Sequence, residues 1–141
     1  MTEMIATRQA YGDTLVELGE KNKDIVVLDA DLSKSTTTAK CGKKYPDRFF
    51  NMGVAEANMM NTAAGLATCG KIPFVSSFSI FATGRAWEQI RNTICYSGLN
   101  VKILATHSGV SVRPAGASHQ CIEDLSLLRT MPTTTTLEPC A

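Results

Sequence analysis

Two rhythms of apolar residues alternate along this chain: stretches of mixed helical spacing and short, almost unbroken hydrophobic runs. Residues 7–21 set Ala10, Leu15, Val16 and Leu18 among polar positions, which predicts a helix, and residues 25–30, IVVLDA, form a β-branched run of strand length. The same reading predicts strands at 49–52, 72–77, 101–106 and 133–137, and helices at 55–68, 82–96 and 122–131. Short apolar strands, mostly separated by helices, predict an α/β fold: a parallel sheet with helices on both faces. No internal repeat or low-complexity linker interrupts the pattern, although TTTT at 133–136 is a small compositional oddity.

In such a sheet, ligands bind beyond the carboxyl ends of the strands. The unusual polar residues fall in four strand-end segments: DADLSKS (29–35), NMGVAE (51–56), SSFSIF (76–81) and ATHSGVSVRPAGASHQ (105–120). Composition narrows the partners. The chain has 141 residues, 44% hydrophobic and 19% charged, enough for one domain with a real core. A net charge of +1 with interspersed signs offers no basic stripe to nucleic acid. MTEMIATRQAYGDTL at the start has an acid at position 3 and no apolar signal region, and no run approaches bilayer length, so a cytoplasmic protein without a membrane partner is expected. Five scattered cysteines without a CxxC pair suit reduced, mostly buried thiols.

Several chemistries fail on spacing. GLATCGKI (65–72) fits a phosphate-loop pattern but ends in Ile where Ser or Thr must bind magnesium, and it runs from helix to strand, the wrong order. GxGxxG and GxSxG are both absent. His107 and His119 share one glycine-rich loop without a supporting ligand at metal spacing, so no metal site is expected from this chain. Glu56 is the one acid between Asn51 and Arg85, at the start of a Met- and Ala-rich helix. One reading is plain: an acid in a first helical turn complements the dipole, worth about 0.3–1 kcal/mol. The other starts from its neighbours Met52, Val54, Ala55, Met59 and Met60, which predict an apolar setting. A protonatable carboxyl there suits hydrogen bonding to a ring nitrogen of a heterocyclic cofactor.

The segments GVAEANMMNTAAGLA, IPFVSSFSIFATGRAWEQIRN, ATHSGVS and GASHQCIEDLSLLRTMP together resemble the pyrimidine-binding domain of transketolase, above all the C-terminal subunit of two-subunit transketolases. The resemblance runs in order from TRQAYGDTL to MP. Deoxyxylulose-phosphate synthase and the β subunit of pyruvate dehydrogenase E1 share the domain and are the nearest alternatives. The resemblance implies a transferase of the pentose phosphate pathway that uses thiamine diphosphate to move a two-carbon ketol unit from a ketose to an aldose. It implies that Glu56 hydrogen-bonds the aminopyrimidine ring, that Phe78 and Phe81 hold that ring, and that Asp31 lies near the cofactor at a subunit interface. His107 and His119 are then catalytic residues facing the substrate, and Arg8 and Ser35, with His119, lie near the sugar phosphate.

The chain lacks a GDG-type magnesium motif, so the resemblance implies that the diphosphate and Mg2+ are held by a partner, the N-terminal subunit. Residues 1–141 then form one pyrimidine-binding domain, with the diphosphate-binding and C-terminal domains absent and a homo-oligomer expected. Two positions depart from the family: Arg113 stands where a small residue, commonly glycine, is expected, and Ala115 where an acid is expected. A non-catalytic interaction domain of the same fold is the competing reading.

Overall fold

The run Ile25–Asp29 becomes the inner strand β1, buried at every position, in the computed structural model, which describes residues 4–110, 112 and 115–139. Helix α1 (Thr7–Lys21) precedes it, and two short helices, α2 (Ser33–Thr36) and α3 (Ala39–Lys44), follow. Next come strand β2 (Phe49–Asn51), helix α4 (Glu56–Thr68) and strand β3 (Ile72–Phe78). A helical stretch then runs over 80–95: a wide π turn Ile80–Arg85, a short α5 (Trp87–Gln89) and a second π turn Ile90–Cys95. Strand β4 (Lys102–Thr106), a 3-10 turn Ala117–His119 and helix α6 (Asp124–Arg129) complete it.

The four strands are all parallel in the order β2-β1-β3-β4, with Asp29 beside Asn51 on one side and beside Ser76 on the other. The period of two in a strand divides the core. Ile25 and Val27 face α1 and α3, where they pack with Leu15 and Cys41. Val26, Leu28 and Ala30 face α4 and the 80–95 stretch, packing with Met59, Met60, Ala63, Val75 and Ile90. Each fully buried Leu, Met, Ile or Val side chain contributes about 1.5–3 kcal/mol relative to exposure. Helix α1 comes close to the α2–α3 turn because Gly12 has no side chain; a Cβ there would overlap Thr37.

The chain leaves β1 toward β2, then returns to β3 on the other flank of β1. That reversal puts the topological switch point, where ligands bind in open α/β sheets, between the carboxyl ends of β1 and β3. No helix among the described residues is long and apolar enough to cross a membrane.

Most predicted elements are observed within a residue or two. The strand expected at 133–137 is not formed. Thr133 donates to the Cys95 carbonyl at 3.0 Å, and the Thr134 hydroxyl is shared between the Met131 and Leu128 carbonyls at 2.7 and 3.2 Å. These threonines bond nearby backbone carbonyls instead of building a ladder, the competition that short hydroxyl side chains offer. The helix expected at 122–131 contracts to Asp124–Arg129, and the one expected at 82–96 starts two residues earlier with π winding. Cys41, Cys95 and Cys121 are buried free thiols and Cys69 is exposed.

Candidate active site

Glu56 opens α4 and is 4% exposed. Arg85, brought back by the first π turn, donates from Nη1 to Oε1 and Oε2 at 3.2 and 3.4 Å. The same guanidinium lies over the Phe81 ring, 4.1 Å from its centroid. The sequence reading had surrounded Glu56 with Met52, Val54, Ala55, Met59 and Met60. Met59 and Met60 instead turn fully into the core, while Val54 is exposed. The acid therefore has a charged partner as well as apolar neighbours.

Phe81 begins a cluster of rings. Phe78, the last residue of β3, lies 6.1 Å from it between centroids with a 17° interplanar angle. His119 meets the edge geometry of both, at 5.1 Å from Phe81 and 6.1 Å from Phe78. His107, just past β4, is 4.1 Å from Phe78 on a 36° tilt. Arg8, in the first turn of α1, donates from Nη1 to His107 Nε2 at 3.0 Å. Because Arg8 can only donate, Nε2 accepts, and the proton of a neutral ring sits on Nδ1, which donates to Thr106 Oγ1 at 2.8 Å. Burial and the neighbouring Arg8 charge both push the His107 pKa below its ordinary value. Glu56, Arg85, Phe81, His119, Phe78, His107 and Arg8 thus form one run of contacts across the carboxyl edge of the sheet.

Asp31 and Ser35 do not join that run. Both lie on the connection after β1, Ser35 within α2. Asp31 is exposed and held by Asn51: its N–H donates to Asn51 Oδ1 at 3.1 Å, and Asn51 Nδ2 returns a bond to Asp31 Oδ1 at 3.0 Å. In the loop after β4, Ala115 is half-buried and Arg113 lies outside the described residues. Gly109 and Cys121 close the neck of this loop with paired backbone bonds of 2.8 and 3.1 Å.

Sequence reasoning missed several groups. Asp29 is fully buried and accepts from Leu32 N–H, Thr36 Oγ1 and Thr38 Oγ1 at 2.6, 2.7 and 2.9 Å, while burial pushes its carboxyl up. Tyr11 bonds Ser76 Oγ at 2.8 Å, and burial raises its phenol. Asp124 Oδ2 accepts from Ser79 and Ser108, both at 2.6 Å. Asp31, Thr37 and His107 hold φ of +64°, +67° and +57°. For non-glycine residues that left-handed backbone costs on the order of 1–3 kcal/mol each and clusters at functional sites. A strand-end position was the available signal for Asp29, while Arg85 is 29 residues from its partner and left no local pattern.

Chemically, the site offers a buried carboxylate and two phenylalanine rings at one edge of the sheet. That set suits a flat heterocycle edged with nitrogens. Among the described residues, no group of three or more His, Cys, Asp or Glu is arranged to hold a metal ion.

Comparison with known proteins gives the chain's family and fold. The model of the transketolase pyrimidine-binding domain matches residues 3–141. A putative transketolase C-terminal section from Methanocaldococcus jannaschii is 59% identical over 132 residues, 94% of this chain and 42% of that protein. A solved split-gene transketolase, in an inactive β4 tetramer, is 64% identical with a TM-score of 0.79, covering 92% of this chain and 41% of its own. Transketolase from Campylobacter jejuni superposes with a TM-score of 0.84 at 27% identity, over 91% of this chain and 20% of that one. The chain therefore spans about two fifths of the length of its split-type relatives, 42% and 41%.

Proposed function

We infer that this chain, which belongs to the transketolase pyrimidine-binding domain family, supplies the half-site for the aminopyrimidine ring of thiamine diphosphate in a two-carbon ketol transfer from a ketose to an aldose. The observation that carries this reading is the convergence of Glu56 with Phe81 and Phe78 at one carboxyl edge of the sheet. The cofactor, when bound, supplies the nucleophilic carbon and the electron sink.

The chain's own residues then have separate tasks. Glu56 holds a ring nitrogen and manages its proton, and Phe78 and Phe81 fix the ring plane and exclude water. His107, neutral with a free role for Nε2 once Arg8 turns to an anion, faces the sugar together with His119. Arg8 and Ser35 take the sugar phosphate, and Asp31, held by Asn51, meets the cofactor from the subunit boundary. The roles of Asp31 and Ser35 follow from the family resemblance alone, whereas those of Glu56, Phe78, Phe81, His107, His119 and Arg8 also draw on their shared run of contacts.

The diphosphate and its Mg2+ fall to a partner chain of the N-terminal type, and the assembly is proposed to contain two or more copies of each, in the cytoplasm where sugar phosphates are available. Val54 and Phe50, 71% and 40% exposed beside the start of α4, are apolar surface for that contact. Met59 and Met60 are core and add nothing to that surface. A second reading, a non-catalytic domain of the same fold, draws on Ala115, whose methyl group cannot accept a hydrogen bond from a substrate hydroxyl.

The test is reconstitution with a partner that contains a GDG motif, with thiamine diphosphate and magnesium titrated calorimetrically and ketol transfer assayed. The complex is expected to be active and the chain alone inactive. Glu56→Gln should leave binding modestly weaker and lower turnover on the order of a hundredfold or more, the scale of lost general acid-base catalysis. Wild-type turnover in that variant, or transfer by the isolated chain, would refute the assignment.

A further inference from the structure

Arg85 stands on the two groups that the proposed function gives to the cofactor ring. Its guanidinium bonds both oxygens of Glu56, at 3.2 and 3.4 Å, and lies 4.1 Å from the centroid of Phe81. A guanidinium is flat, carries N–H donors in its plane and stacks readily on aromatic faces. An aminopyrimidine is also flat, edged with an amino group and ring nitrogens, and stackable. The two would compete for one carboxylate and one aromatic face.

We propose that Arg85 is an internal stand-in for the aminopyrimidine: it occupies the slot between Glu56 and Phe81 in the free chain and must swing out for the ring to enter. This rests on the functional reading above and adds a step to it.

Three observations support displacement over a permanent contact. Glu56 is 4% exposed, and a carboxylate so buried needs a donor or a countercharge at all times. Arg85 supplies a countercharge before the ring arrives, and afterwards one proton shared between Glu56 and a ring nitrogen supplies the hydrogen bond. The Arg85 side chain is 53% exposed, so it sits on the rim with water on its far side and can regain hydration by a rotation of its stem. It also sits at the end of a π turn, Ile80–Arg85, a winding that is rare and often found where a helix serves a site. The alternative, in which Arg85 stays and orients Glu56 for the ring, predicts the opposite sign for its removal.

Isotope-labelled chain titrated with 4-amino-5-hydroxymethyl-2-methylpyrimidine, the ring alone, decides between them by NMR. Arg85→Met keeps the stem and deletes the guanidinium. It should bind the ring at least about fivefold more tightly than wild type, because the binding-competent state is no longer a minor one. In wild type the Arg85 Nε–H resonance should move toward its free position as Phe81 ring protons shift. Should Arg85→Met fold poorly with Glu56 unpaired, Arg85→Lys keeps the charge without the flat stack and should also bind more tightly than wild type. Equal or weaker binding by the variants, or an Arg85 resonance indifferent to the ring, overturns the stand-in. If neither wild type nor variant takes up the ring while methylguanidinium still perturbs Phe81 in Arg85→Met, the aminopyrimidine reading of the site is what fails, and the stand-in falls with it.

Discussion

Asp124 ties three parts of the cleft together, and its removal gives a measurable test of that tie. Oδ2 accepts from Ser79 and Ser108, both at 2.6 Å, and Oδ1 accepts from the Leu125 N–H at 3.0 Å. Burial alone would push this carboxyl up, but the two hydroxyls and the backbone N–H outweigh it and hold the pKa below the usual carboxylate value. Ser79 directly follows Phe78 and Ser108 directly follows His107, so the bonds fix the two rings through their neighbours. Hydrogen bonds to a charged group are worth about 1.5–3 kcal/mol each, and a buried hydroxyl left without a partner costs about 1–3 kcal/mol. Ser79 is 1% exposed and would be stranded, whereas Ser108 is half-buried and can turn to water. Relief from burying the carboxylate offsets part of the loss. Asp124→Ala is therefore expected to destabilise the chain by about 3 kcal/mol, and Ser79→Ala by about 1 kcal/mol. The pair should be less than additive, with a coupling of about 1 kcal/mol or more. Urea unfolding at pH 7 with unchanged slopes supplies all four corners of the cycle. A loss below about 1 kcal/mol in Asp124→Ala, or strict additivity, would refute the clamp.

Three further outcomes follow from the packing and the charges. Gly12→Ala should cost about 1–3 kcal/mol in urea unfolding, because its methyl group would overlap the Thr37 side chain and press on the Thr37 carbonyl. Arg8→Gln should let His107 titrate at higher pH by NMR, since a neighbouring positive charge is one of the two causes of its lowered pKa. His107 has a folded pKa below its ordinary 6.5, so its contribution to stability is complete above that value and declines as pH falls through the folded pKa. Asp124 behaves likewise below 3.8, whereas Asp29, raised by burial, contributes below 3.8 and loses that contribution as pH rises through its folded pKa. Between pH 7.5 and pH 5 the His107 contribution should fall while that of Asp29 rises, so the test is the difference between the wild-type and His107→Asn pH profiles of unfolding free energy; identical profiles would refute the His107 assignment.

What could be read from the sequence depended on the length of each signal. Helix α1 and strand β1 show enough of their period to be placed almost to the residue, and α4 likewise. SKST and AKCGKK are too short to display a helical period; α3 is held by packing against α1, and α2 by packing against β3 and by the Asp29 bonds to Thr36 and Thr38. The β-branched run 133–137 misled because propensity counts side chains and ignores what hydroxyls do to carbonyls already waiting at 95, 128 and 131. Glu56, Phe78 and Phe81 were singled out by motif, and the fold brings them to one edge. Arg85 was invisible in the same role because its pairing depends on a π turn and a contact 29 residues away. The left-handed backbone of Asp31, Thr37 and His107 left no trace either, since glycine would have announced such positions and none stands there.

Those three backbone positions bear on how the chain ages under mutation. At each, glycine or asparagine would relieve the backbone, a gain set against the bonds that Asp31 makes with Asn51, Thr37 with the Arg8 carbonyl, and His107 with Arg8 and Thr106. A lineage that no longer used the cleft would drift toward the relaxed residues there first, well before its core decayed. A lineage still using it would hold on to the uncomfortable ones. The left-handed sites therefore act as a record of use written in conformational energy, one that can be consulted by replacing His107 and Asp31 with glycine and asking whether stability rises while binding is lost.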